Sequence, residues 1–126
     1  MNMETADILL VGAGNLGSRH LQALARIGMP SRIFVVDPSE KSLEMSRVRF
    51  NEIPASGKIL GISFSRTLQE ACMQRADFCI VASTADVRLQ IIREIFSRIS
   101  ARNMLIEKVI FQSPAEIAEA DAMFAQ

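Results

Sequence analysis

Short apolar runs alternate along this chain with longer stretches in which apolar residues return every three or four positions. The short runs read as strands over residues 8–11, 32–36, 58–64, 78–82 and 104–106, and the longer ones as amphipathic helices between them. The run FCIVA at 78–82 shows no polar alternation, which is what a parallel strand covered by helices on both faces requires.

The helices carry their own punctuation. In the first, Gly17, Leu21, Leu24 and Gly28 fall on one face before the breakers GMPS at 28–31. Pro38 and Ser39 open the second after Asp37, and it runs out in a loop-like stretch near 51–57. A short third helix is predicted over 67–75. The fourth, over 84–100, presents Ile92, Ile95, Phe96 and Ile99 together. For the last, Ser113 is a cap, Pro114 occupies the first turn and Glu116 follows three residues after the serine, with Ile117, Ala120 and Phe124 as its apolar face.

Five β-α units in a row predict an α/β fold: a Rossmann-type, doubly wound parallel sheet in a three-layer α/β/α sandwich, one domain over residues 1–126. A chain this long buries roughly 65–70% of its unfolded surface, enough for one core. The sequence stops after the fifth helix, leaving the 104–106 strand as an apolar edge. The expectation is therefore the front part of a longer protein, or an edge paired in a homo-oligomer.

Charge and composition narrow the partners. Fourteen Lys plus Arg balance fourteen Asp plus Glu, so no global field draws the chain to nucleic acid or an anionic membrane. The start MNMETAD has no signal-peptide pattern, and no apolar run approaches a membrane span. Cys72 and Cys79 lack metal or CxxC spacing and read as reduced, buried or half-buried thiols of a cytoplasmic protein. No His/Cys/Asp cluster suggests a metal.

Gly12, Gly14 and Gly17 form a G-x-G-x-x-G that directly follows the first strand and opens the first helix. Gly12 permits the tight turn, Gly14 leaves a pyrophosphate room to approach backbone N–H groups at Asn15 and Leu16, and Gly17 lets helix and strand come close. Asp37, twenty residues beyond Gly17 at the end of the next strand, is placed to accept from adenosine ribose hydroxyls and to repel a 2′-phosphate. NAD is thus favoured over NADP, although Lys41 lies nearby. The bland alternative is a glycine turn with Asp37 capping the second helix. A methyltransferase first motif usually carries an acid before its first glycine, where this chain has Ile8, Leu9, Leu10 and Val11.

Ligands of such sheets bind at the carboxyl ends of the strands, so Ser83 and Thr84 after the fourth predicted strand, and Glu107 and Lys108 after the fifth, complete the candidate cofactor site. His20, the only histidine, sits on the first helix away from the Lys108 end, where a packing or hydrogen-bonding role is expected.

Taken in order, VGAGNLGSRHLQAL, VVDPSEKSLE, CIVASTADVR and NMLIEKV resemble the N-terminal half of the Gfo/Idh/MocA oxidoreductases, the glucose-fructose oxidoreductase and inositol dehydrogenase family. The most specific pieces are His20 and the Glu107-Lys108 pair. The resemblance implies that Lys108 lies beside the nicotinamide and substrate, as the candidate catalytic residue. It also implies a following domain that supplies most of the pocket for a sugar- or polyol-like substrate. Two positions depart from it: Val109 stands where the family has proline, and Arg88 stands near the place of a family histidine. The expected function is an NAD-binding domain of a hydride-transferring oxidoreductase. Beside it stands a non-catalytic nucleotide-sensing or interaction domain, which Val109 favours. The bare edge strand carries its own expectation: Ile106→Lys lowers self-association, read as a smaller mass in solution, and an unchanged mass counts against it.

Overall fold

The computed structural model describes residues 5–54, 56–107 and 112–125. Among these residues, seven strands and five helices follow in the order β1 (Ala6–Val11), α1 (Asn15–Leu24), β2 (Ser31–Val36), α2 (Glu40–Asn51), β3 (Ile59–Ser65), α3 (Leu68–Ala71), β4 (Arg75–Ala76), β5 (Phe78–Val81), α4 (Ala85–Arg98), β6 (Ser100–Ala101), β7 (Met104–Ile106) and α5 (Pro114–Phe124). The main sheet has the order β3-β2-β1-β5-β7, all parallel. This is the expected Rossmann-type arrangement, in which the strand order reverses between β1 and β5 and opens a crevice at their carboxyl ends.

Alternation along the central strands builds two cores. Leu9, Val11, Cys79 and Val81 face α4, where they meet Leu89, Ile92 and Ile95. Leu10, Ile33, Val35 and Ile80 face the other way, onto Leu21 of α1 and Leu43 of α2. Each fully buried Leu or Ile contributes about 1.5–3 kcal/mol of apolar transfer. With both faces covered, β5 and the part of β1 beyond Asp7 have no polar side, and this explains their apolar runs.

The helix starts behave as their cap residues require. Ser39 accepts from the N–H of Ser42, Thr67 from that of Glu70, and Ser113 from that of Glu116. Helix ends are less local. The third helix is a single turn, ended by Cys72 at φ 56°, because Arg75–Ala76 leaves to pair with Ser100–Ala101. The same pairing stops α4 at Arg98. Ile99 is extended rather than helical, yet stays 4% exposed. The first helix ends at Leu24, so Gly28 lies outside it and faces open space.

On α5 only Ala120 of the expected apolar face is buried. Ile117 and Phe124 are 48% and 43% exposed, Phe124 meeting Phe96 of α4 edge-on at 5.4 Å. On the edge strand β7 the outward residue is Leu105, whereas Ile106 packs against the core. A lysine at 106 therefore disturbs packing as well as the edge, and Leu105 is the cleaner position for a charge.

The two thiols differ. Cys79 is buried in β5 and its thiol is pushed up to about 12 by desolvation, whereas Cys72 is exposed, contrary to its expected burial. Thiolate is the reactive form. A disulfide reagent at neutral pH is therefore expected to modify one cysteine per folded chain and both after unfolding; two fast thiols in the folded protein would contradict the core position of Cys79.

Candidate functional site

The glycine-rich turn joins β1 to α1 with almost no side chains. Gly12 has φ +101°, and a Cβ there would lie 2.8 Å from the Ala82 carbonyl carbon and 2.9 Å from the N of Ser83. A Cβ on Gly17 would lie 1.8 Å from the Gly12 carbonyl oxygen. The first turn of α1 thus rests on the backbone of Gly12, and Gly12 rests on the backbone end of β5. At Gly14 no atom of the described residues stands within 4 Å of an added Cβ. Gly12 and Gly17 are therefore demanded by the fold itself, while the bareness of Gly14 serves no internal contact.

Gly14 is also the N-cap of α1, which receives no side-chain cap and has no acidic residue in its first turn. The opening N–H groups of a helix lack intrahelical acceptors and sit at the positive end of its dipole. Asn15 and Leu16 are both exposed there, Leu16 at 53%. Arg49 of α2 adds a guanidinium beside this turn, donating to the Ser18 hydroxyl and, at 3.4 Å, to Asn15 Oδ1. The ensemble attracts anions.

Asp37 follows β2. Its Oδ2 accepts from the Ala13 N–H at 2.7 Å and its Oδ1 from the Ser39 N–H at 2.8 Å. The carboxylate therefore bridges the glycine turn and the α2 start; the cap of α2 is Ser39, not Asp37. Each oxygen keeps a lone pair for a further donor. Gly12, Gly14, Asp37, Ser83 and Thr84 line one cleft of about 260 Å³, with Val87 and Ile91 of α4 as its apolar wall. Lys41 is exposed on α2 and lies outside that lining.

Across the crevice a different group holds the backbone. Arg88, on the first turns of α4, is 2% exposed and donates to the carbonyls of Ser83 and Glu107, at the ends of β5 and β7. Burial lowers its pKa, opposed by the Glu107 carboxylate, and an arginine keeps its charge through such a shift. Ser83 Oγ is buried with no hydrogen-bond partner among the described residues. His20 Nε2 meets Glu107 Oε1, so the histidine does make a hydrogen bond but sits at the β7 end rather than away from it. Lys108 and Val109 lie outside the described residues.

The buried, carbonyl-holding role of Arg88, noted from sequence only as standing near the place of a family histidine, and the Ala13 N–H contact both escape the sequence reading. A signal for Arg88 exists: it shares the helical spacing of Ile92, Ile95 and Ile99 and so falls on the buried face, where a charge is rarely placed without a task. The Ala13 contact has no signal, since its backbone N–H donates to a side chain 24 positions away.

No protein-family model and no curated protein matches the sequence. Among solved structures, the chain is similar to GenD2 from gentamicin A biosynthesis in complex with NAD, at TM-score 0.66 and 23% identity over 98% of this chain and 32% of that one. It is similar to a diketoreductase acting on dicarbonyl compounds, at TM-score 0.68 and 20% identity over 94% of this chain and 46% of that one. A Thermoplasma acidophilum protein provisionally assigned as a methyltransferase matches at TM-score 0.56 and 23% identity, over 82% of this chain and 44% of that one. At such identities the likeness is one of fold, and the chain spans less than half the length of each.

The glycine geometry separates stability from ligand binding. Gly17→Ala forces a backbone shift and is expected to cost about 3 kcal/mol or more of stability, whereas Gly14→Ala leaves the melting temperature within a few degrees. Thermal denaturation of both checks this, and equal melting losses would contradict the open space at Gly14.

Proposed function

We propose that this domain binds NAD and serves as the cofactor-holding part of an oxidoreductase that moves a hydride between nicotinamide and a small sugar- or polyol-like substrate. The observation that carries the reading is the open Gly14 at the uncapped start of α1, facing a cleft whose other wall holds the Asp37 carboxylate. Gly12, Gly14, Asn15 and Leu16 would hold the pyrophosphate, Asp37 the adenosine ribose, and Ser83, Thr84, Glu107 and Lys108 the nicotinamide half. NAD supplies the hydride acceptor. This chain's residues bind it, orient it and, through Val87 and Ile91, give it one dry face.

The acid at position 37 supports NAD over NADP, since its charge opposes a 2′-phosphate. The NAD complex of GenD2 supports a nicotinamide cofactor over methyl transfer. So do the buried apolar residues Ile8 to Val11, where the methyltransferase motif usually has an acid. Membership of the Gfo/Idh/MocA family accounts for Glu107 and Lys108, with Lys108 as the catalytic candidate and a further domain for the substrate. The apolar Leu105 edge supports association with a second copy. Val109, in place of proline after Lys108, favours the second reading, a non-catalytic nucleotide-sensing domain, which binds the same ligand at the same residues.

Titration with NADH tests both. A saturable rise in its fluorescence is expected below millimolar cofactor, with ADP-ribose competing. Asp37→Ala is expected to weaken binding about tenfold to a hundredfold by loss of charge-assisted hydrogen bonds. No response at millimolar NADH would overturn both readings.

A further inference from the structure

A fully buried arginine whose side chain reaches backbone carbonyls at two strand ends is an expensive device for packing alone. Leu or Met at position 88 would fill the face that Leu89, Ile92 and Ile95 share without desolvating a charge. Arg88 acts on the two segments flanking the β5 side of the crevice: the turn from β5 into α4, through Ser83, and the exit of β7, through Glu107.

The trans peptide makes this contact directional. A carbonyl and the N–H of the next residue point opposite ways across a planar peptide bond. With the Ser83 carbonyl drawn in to the guanidinium, the Thr84 N–H points out. It has no acceptor among the described residues, and Thr84 itself is exposed. In the same turn the Ser83 hydroxyl is buried without a hydrogen-bond partner among the described residues, a state that folded proteins rarely leave unmet. Among the described residues the turn therefore holds two unmet hydrogen-bonding groups, and Arg88 fixes the Ser83 carbonyl between them.

The two halves of the crevice are distinguishable. Asp37 marks the β1-β2 half for adenosine, so a dinucleotide lying across the switch point puts its other nucleoside on the β5-β7 half. We propose that Arg88 is a positioning residue for the nicotinamide half of the site, fixing the Ser83-Thr84 peptide and the Glu107 carbonyl so that the turn offers its N–H to the nicotinamide nucleoside. This rests on the dinucleotide reading above. It adds a residue that the glycine motif and Asp37 do not contain.

The test compares NADH with ADP-ribose, which keeps the adenosine and pyrophosphate but lacks nicotinamide. In the wild-type chain both bind and NADH binds tighter. Arg88→Met is expected to leave ADP-ribose affinity within about twofold and to cut the NADH advantage about fivefold or more, the loss of one well-placed hydrogen bond. Arg88→Lys, which reaches one carbonyl but not both, is expected to restore part of that advantage, and it decides by the same ratio if the methionine variant does not fold. Equal weakening of both ligands would make Arg88 a purely structural residue, and no change in either would remove its role; both results overturn the proposal. A wild-type chain that fails to bind ADP-ribose overturns the dinucleotide reading itself, and this inference falls with it.

Discussion

The carboxyl edge of this sheet depends on one contact without side chains: the Cα of Gly17 set down on the carbonyl of Gly12. Because that helix turn can approach so closely, α1 starts directly over the end of β1, and its unpartnered N–H groups open above the sheet. Gly12 is in turn pressed against the Ala82-Ser83 backbone, so the β1 turn and the β5 exit lock as one rigid piece. The floor of the crevice is backbone, and backbone in close contact is the least adjustable material a protein has.

On that floor the walls divide the work by charge. The β2 side is held by a carboxylate that accepts two N–H groups, from Ala13 and Ser39. The β5-β7 side is held by a guanidinium that donates to two carbonyls. Each uses side-chain charge to settle peptide groups that the sheet ladder leaves over where the strands stop. The crevice lies between the Asp37 carboxylate and the buried Arg88 guanidinium, and His20 on the Glu107 carboxylate ties α1 to the β7 end.

Most of the fold was legible because its causes are local or periodic. Strand runs without polar alternation, start signals at Ser39 and Ser113, and the repeat of β with α each act within a few residues of where they are read. The failures share a cause too. The third helix is cut to one turn and the fourth loses its end because Arg75–Ala76 and Ser100–Ala101 pair across about 25 positions, a competition that no local window contains. The exposure of Ile117 and Phe124 likewise depends on how far α5 overlaps α4.

By itself the sequence determined the α/β order, the glycine turn and the acid twenty residues beyond it, since chain connectivity and backbone sterics leave little else for those residues to build. Only the tertiary structure decided which glycine is bare for a ligand and which for a neighbouring backbone. It alone brought His20 onto Glu107 and turned Arg88 inward upon two strand ends. Those outcomes depend on distances between segments far apart in the chain. Such distances are set by helix-on-sheet packing, not by the identity of any residue nearby.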